Sequence, residues 1–412
     1  MPLKKYSTTE DNSGNQLENL AAPVQTVAFL AIGYSGVGLG GGDNLWLKMA
    51  EGLLRFRFRI LVVTSKEGWR TYRKFLPRAK FVIVDKRILP KFIPMALLIM
   101  ARRIILTLMI VRKLGLGPED LVISTSDLLQ ENIPILALQK ESCIKISIFH
   151  MIYPAHNIYS KDPSVGLPPI VGATLLWLQQ MFSIAILKRF FDIIIAHENT
   201  VKFLANRGVP EERTISYPLH WASIDLEAIN SVQEPPKRYD ACWVGRYSPR
   251  KGFEDLLIAW KSIISYRPSS KLAIVGSVCY DPTALLLIRK IGSQGIELKG
   301  FLPTREKIRV IKESKIFIHT SHYEGQPSTP WEAIACHVPV VCYDYPFNRE
   351  LPASRKVLPG EIGKLAEACL GLFDNEMDLA NLKAEAARLR IDSSVSGLLG
   401  KLQRRISRLY RP

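Results

Sequence analysis

The chain has 412 residues, 47% of them hydrophobic and 23% charged, a globular composition that excludes a disordered or fibrous protein and gives enough length for two domains. The formal charge of +17 fits nucleic acid, an anionic membrane surface or anionic small molecules as partners. No zinc-finger spacing, aromatic-basic stacking motif or helix-turn-helix pattern supports nucleic acid; the basic residues fringe apolar helices, which points to lipid, with a merely solvated basic surface as the simpler alternative. Cys143, Cys242, Cys279, Cys336, Cys342 and Cys369 lack the paired spacing of a disulfide framework or zinc site. They read as small buried hydrophobes and favour a reducing, cytoplasmic setting.

In chain order, residues 1–22 are polar, carry Lys4 and Lys5, and read as a mobile leader with no secretory signal. Strand-like runs at 24–32, 59–64, 81–84, 121–125, 145–150 and 193–197 then alternate with helical patterns. This predicts an α/β domain with a parallel sheet over 23–222. Residues 223–238, polar and containing Pro235 and Pro236, read as a linker. A second α/β domain over 239–385 has strand candidates at 241–244, 272–275, 296–299, 316–320 and 338–343. The last stretch, 386–412, is helical in pattern, with Arg404, Arg405, Arg408 and Arg411 at its end.

Two segments imitate membrane spans. Residues 167–187 contain no charge but include Pro168, Pro169, Gly172, Gln179 and Gln180, and lead into a strand; they read as a buried crossover helix. Residues 92–111 are interrupted by Arg102 and Arg103, too costly at mid-bilayer, and are flanked by Lys86, Arg87, Lys91, Arg112 and Lys113. A helix lying in a membrane interface and a core helix fit this segment equally well.

The chemistry concentrates in the second half. Glu324 and Glu332 lie eight positions apart, in His322-Tyr323-Glu324-Gly325-Gln326-Pro327-Ser328-Thr329-Pro330-Trp331-Glu332. A strand precedes this segment, which places Glu324 at the strand's C-terminal edge, where open α/β sheets bind ligands. Thr329 reads as an N-cap and Pro330 as the first helical residue, so the amides around Gln326 to Thr329 converge on an anion site. On local evidence alone Glu332 completes a capping box. Gly245-Arg246 and Lys251-Gly252 follow the first strand of this half and set two cations beside a helix start, suited to a diphosphate leaving group.

Together, Glu324-x7-Glu332 running into Ala-x-Ala-x-x-x-Pro-Val-Val, Gly-Arg…Lys-Gly, and the strand-and-glycine elements ending in Gly276 and Gly300-Phe301 resemble glycosyltransferase family 4. The likeness covers 240–370 closely and the first half loosely. It implies a GT-B fold: two Rossmann-like domains facing each other across a cleft, with the C-terminal helix returning toward the N-terminal domain. The N-terminal domain would take the acceptor and the C-terminal domain a nucleotide diphosphate sugar. By position, Arg246 and Lys251 would bind the donor diphosphate, Glu332 the ribose hydroxyls, and Glu324 would sit near the transferred sugar. Amides of Gly245, Gly325, Gln326, Ser328 and Thr329 would meet sugar or phosphate, and Phe301 and Leu302 would line the base pocket. The family usually has glycine where His337 stands, a departure that touches none of these contacts.

In the first half, Gly36, Gly38 and Gly41 satisfy the dinucleotide fingerprint. However, the loop is long for that turn, and the second strand ends in Val63-Thr64-Ser65 with no acidic residue for a ribose. The resemblance instead places Gly41 and Gly42 facing the donor phosphates. His150 ends a strand where related enzymes often turn a histidine into the cleft; His156 competes for that role, and His197 is a further cleft candidate. The expected activity is retaining, metal-independent glycosyl transfer without a cofactor, in which the departing diphosphate accepts the acceptor's proton. The expected acceptor is a sugar or a lipid-linked glycan at the cytoplasmic membrane face. A degenerate sugar-nucleotide-binding protein and a nicotinamide-dependent oxidoreductase are the alternatives.

Overall fold

The structure, a computed structural model, describes residues 26–33, 39–87, 93–139, 141–153, 169–325, 327–389 and 395–409. The expected leader, Gln326, His156 and the fingerprint glycines Gly36 and Gly38 lie outside the described residues.

Short β-branched and leucine runs, most of them buried, form two parallel sheets, as sheets covered by helices on both faces require. Strands β1 (Thr26–Ala31), β2 (Arg59–Thr64), β3 (Lys80–Ile83), β4 (Leu121–Ser124), β5 (Ile144–Phe149), β6 (Ile193–Ala196) and β7 (Thr214–Ser216) stand in the order β3-β2-β1-β4-β5-β6-β7. The second sheet takes β8 (Tyr239–Val244), β9 (Leu272–Val275), β10 (Ile296–Gly300), β11 (Ser314–His319), β12 (Val340–Tyr343) and β13 (Ser354–Val357) in the order β10-β9-β8-β11-β12-β13. Both orders reverse beside their first strand, β1 against β4 (Val27 opposite Leu121) and β8 against β11 (Tyr239 opposite Ser314). At such a reversal the flanking loops part and leave a crevice.

Helices α1 (Gly41–Arg55), α2 (Ile93–Arg112) and α3 (Pro169–Phe190) cover the first sheet; α4 (Leu226–Ser231), α5 (Phe253–Tyr266), α6 (Thr304–Lys312) and α7 (Ser328–Ala335) belong to the second. The last helix, α8 (Val395–Leu409), returns to the first domain, where Leu398, Leu399 and Leu402 join Leu45, Trp46 and Met49 of α1 in one core. All six cysteines are buried and unpaired.

Four departures from the sequence reading have physical causes. Strands β7 and β13 were not expected: each lies at a sheet edge and is short and polar (Thr-Ile-Ser and Ser-Arg-Lys-Val), so it lacks the apolar run of a central strand. The 223–238 segment is partly helical, and Ile224, Ala228, Ile229 and Val232 pack into the second domain's core. Helix α1 already starts at Gly41, within the loop expected after β1, because glycines carry no helical signal. Finally, α3 is a crossover helix but not a buried one: Gln180 and Ser183 turn inward while Leu175 and Phe182 face out.

Candidate active site

Gly41, Gly42, Gly245, Arg246, Lys251, Glu324 and Gly325 follow the C-terminal ends of strands at the two reversals, whereas His150 follows β5, Phe301 and Leu302 follow the edge strand β10, and Ser328, Thr329 and Glu332 belong to α7. In the second domain Gly252 takes φ 62°, and a Cβ there would come within 2.0 Å of the Thr320 carbonyl oxygen. Only glycine lets the loop after β8 lie this close to the end of β11. The Thr320 hydroxyl donates to Lys251 O (2.9 Å), and the His322 amide donates to Arg250 O (2.7 Å). The two loops are thereby locked together, and Lys251 Nζ forms an ion pair with Glu324 Oε1, which also accepts from Ser321 Oγ at 2.9 Å. Burial alone would raise the Glu324 carboxyl, but Lys251 and the hydrogen bonds outweigh it and hold the group below its ordinary value. Glu324 is therefore an ionised acceptor of hydrogen bonds and a poor proton-abstracting base at neutral pH.

Glu332 is 5% exposed, and both its oxygens are taken by Lys307 Nζ of α6, at 2.8 and 2.7 Å. The capping-box reading is corrected here: the N-cap is Pro327, Ser328 and Thr329 are the first two helical residues, and Glu332 pairs with a lysine instead of the cap. Pro330 is consequently the third helical residue, where its missing N–H is still no loss. The first-turn amides of α7 lack intrahelical acceptors and open toward α1, whose Gly41 lies with its Cβ position 3.7 Å from Ser328 Oγ.

The first domain meets this wall closely. Gly41 and Gly42 form the first turn of α1 rather than a free loop, closed by Asp43 accepting from the Gly40 amide at 2.9 Å. A Cβ on Gly42 would lie 3.0 Å from His150 Nε2. That nitrogen donates to Thr125 O at 2.7 Å, which fixes the ring against the glycine turn. Gly325 packs on the chain just beyond: its Cβ position is 2.5 Å from Met151 Cβ and 2.8 Å from His150 O. Tyr323 donates its hydroxyl to Ile152 O. Lys251, Glu324, Gly325, His150, Gly42, Gly41 and Ser328 thus form one continuous line of contacts across the interdomain cleft.

Other expected residues are less committed. Arg246 is exposed and makes no ion pair or side-chain hydrogen bond with a described residue; Gly245, beside it, packs against the Trp243 ring. Phe301 is 58% exposed, and Leu302 is half-buried against the second core. His197 caps the following helix through its ring, and burial lowers its pKa.

Sequence reasoning missed the support beneath His150. Buried Asp127 accepts from the His150 amide (3.2 Å) and from Gln180 Nε2 (2.8 Å). Gln180 also donates to Met151 O (2.7 Å) and accepts from the Tyr153 amide (2.8 Å). Asp127 and Gln180 are 53 positions apart, so no local pattern joins them. Lys307 escaped notice for the same reason, and so did the interdomain stack of His220 on Trp331, with ring centroids 4.8 Å apart.

With this geometry in place, the fold is that of the GT-B glycosyltransferases. TarM from S. aureus, solved with fondaparinux, alpha-GlcNAc-glycerol and UDP, superposes with a TM-score of 0.69 at 13% identity, over 92% of this chain and 99% of that one. HepE of Anabaena, solved with UDP and glucose, gives 0.65 at 16% identity, over 93% and 99%. More particularly, residues 225–389 match the family model for glycosyl transferases group 1. A GDP-mannose-dependent monoacylated alpha-(1-6)-phosphatidylinositol monomannoside mannosyltransferase of Corynebacterium glutamicum is 30% identical over 161 residues, 37% of this chain. An uncharacterized glycosyltransferase of Methanocaldococcus jannaschii is 29% identical over 102 residues, 24% of this chain. The matches span 42% and 25% of the length of these two curated relatives.

Proposed function

We propose that the protein is a glycosyltransferase of family 4 that moves a sugar from a nucleotide diphosphate donor to a hydroxyl acceptor, with retention and without a metal. The observation that carries this reading is the Lys251–Glu324 pair at the second sheet's reversal, set directly against the Gly42–His150 contact of the first. Arg246 and Lys251 supply cations for the diphosphate, and the first-turn amides of α7 and α1 supply dipoles of the same sign. Glu332, buried and oriented by Lys307, would accept the ribose hydroxyls. Phe301 and Leu302 offer an apolar surface to the base.

In this scheme the glycosidic bond to phosphate breaks as the acceptor hydroxyl attacks from the same face, and the departing diphosphate takes the hydroxyl's proton. The depressed Glu324 carboxyl fits a role in holding the sugar rather than in abstracting a proton. Catalysis is then positioning plus stabilisation of leaving-group charge. The charge partners that the site offers are the side-chain cations Arg246 and Lys251 and the first-turn amides of α7 and α1.

The C. glutamicum relative makes GDP-mannose the first donor to test and a lipid-linked glycan the first acceptor class. The test is transfer from radiolabelled GDP-mannose and UDP-glucose to lipid extract in EDTA, with the product's anomeric configuration read by NMR. A retained configuration without metal is expected; an inverted product, or activity only with added divalent ions, would contradict the proposal.

A further inference from the structure

Helices α2 and α3 are built inside out. On α2, Arg103 is completely buried and donates to Ile32 O (3.2 Å), Arg87 O (2.8 Å) and Glu67 Oε2 (2.7 Å), while Thr107 is also buried. The opposite face carries Leu97 and Leu98, each 65% exposed, and Ile105. On α3, Gln180 and Ser183 turn inward to the Asp127 network, while Leu175, Phe182 (64% exposed) and Phe190 face solvent. Both helices pack on the same core, through Val111 and through Ile184 and Leu187. The 133–137 turn touches both, and its Leu136 is exposed as well. The outward residues therefore belong to one side of the first domain. An apolar surface of this extent marks an interaction site.

Its charge selects the occupant. Neither helix contains an Asp or Glu. Each leads into a strand of the same parallel sheet, so both end at one sheet edge, where Arg112, Lys113, Lys188 and Arg189 are exposed. Lys86 and Arg87 are exposed after β3, toward the other edge. An apolar band with cations beyond both ends, and with the half-exposed Arg102 within it paired to Asp85 at 3.4 Å, fits acyl chains flanked by anionic headgroups. A second copy fits poorly, because a symmetric contact would bring basic helix ends of two chains of charge +17 together. Among the described residues no helix is long and apolar enough to cross a membrane.

We infer that the outer face of α2 and α3 docks the protein on an anionic phospholipid bilayer, with the interdomain cleft at its border. The docking stands independently of the transferase reading; only the corollary, that a lipid-linked acceptor enters the cleft from this side, rests on it. The test is flotation of the full chain with phosphatidylcholine vesicles, with and without phosphatidylglycerol, at low salt and without nucleotide sugar. Wild type should float with the phosphatidylglycerol vesicles. The Leu98→Glu/Phe182→Glu variant should bind roughly a hundredfold more weakly while keeping its circular dichroism and its turnover on a water-soluble acceptor. Arg112→Glu/Arg189→Glu should weaken binding to the anionic vesicles and reduce its sensitivity to salt.

Wild type that ignores the anionic vesicles would overturn the inference, as would a folded Leu98→Glu/Phe182→Glu variant that floats as well as wild type. So would a wild-type dimer that this variant converts to monomer, since the face would then join two copies. Loss of glycosyl transfer with intact flotation would count against the proposed activity and leave the docking in place.

Discussion

The two domains present polar residues to their surroundings in opposite ways. The second domain keeps its chemistry local: Arg246 and Lys251 follow β8 within seven residues of its end at Val244, and Glu324 follows β11 within five residues of His319. The first domain sends its polar groups inward over long distances, through Arg103 to Glu67 and Gln180 to Asp127, and leaves leucine and phenylalanine outside. Chemistry written into strand-end loops can be read from sequence, whereas a buried polar scaffold cannot, because its partners share no spacing. The comparison also separates roles: charge in the second domain should govern turnover, and charge in the first should govern stability.

The largest effect should come from the first domain. Arg103→Ala removes the buried guanidinium that holds Glu67 Oε2 and the Ile32 and Arg87 carbonyls together beneath α2, and should cost about 3–5 kcal/mol of stability, read as a denaturant midpoint shift. A shift below about 1 kcal/mol would mean that the buried arginine is not what holds this face in place. The contrasting variant is Arg246→Ala, which should reduce turnover by about 3–4 kcal/mol in the barrier while leaving the melting temperature unchanged. If it unfolds the protein instead, the proposed division of roles between the domains fails.

A third probe uses pH. Burial raises the Glu131 carboxyl of the first domain from 4.5 to about 7, although Thr125 and the Gly33 amide both donate to it. The fold therefore favours the protonated form: the stability this gives is complete below about pH 4.5 and is lost as pH rises through 7. Relative to wild type, Glu131→Gln should gain on the order of 3 kcal/mol between pH 4.5 and 8. Parallel pH profiles for the two proteins would show that the carboxyl is solvated. The smallest effect belongs to His337, which takes φ 57° just after α7, the left-handed conformation that glycine adopts without strain. His337→Gly should raise stability by about 1 kcal/mol, visible as a small upward shift in melting temperature with no change in turnover.

The same contrast accounts for what was legible. Eleven of the strands showed as apolar runs, and only the polar edge strands β7 and β13 did not. The cleft residues Lys251 and Glu324 were singled out because each follows a strand, and Gly42 and His150 because the family resemblance puts a glycine pair and a histidine at those places. Lys307 was not, since it reaches Glu332 across 25 positions from another helix. The run at 167–187 was misjudged as buried because hydropathy reports composition and not direction, and here the few polar residues, Gln180 and Ser183, are the ones that point inward.

Binding of a nucleotide diphosphate in the cleft is measured by melting the protein with UDP, GDP, ADP and dTDP in turn, in EDTA. A nucleotide at about 100 times its dissociation constant adds roughly 2.7 kcal/mol to the folded state. One nucleotide should raise the melting temperature, and Arg246→Ala should abolish the shift. No shift with any of the four, or an equal shift in the variant, would contradict such binding.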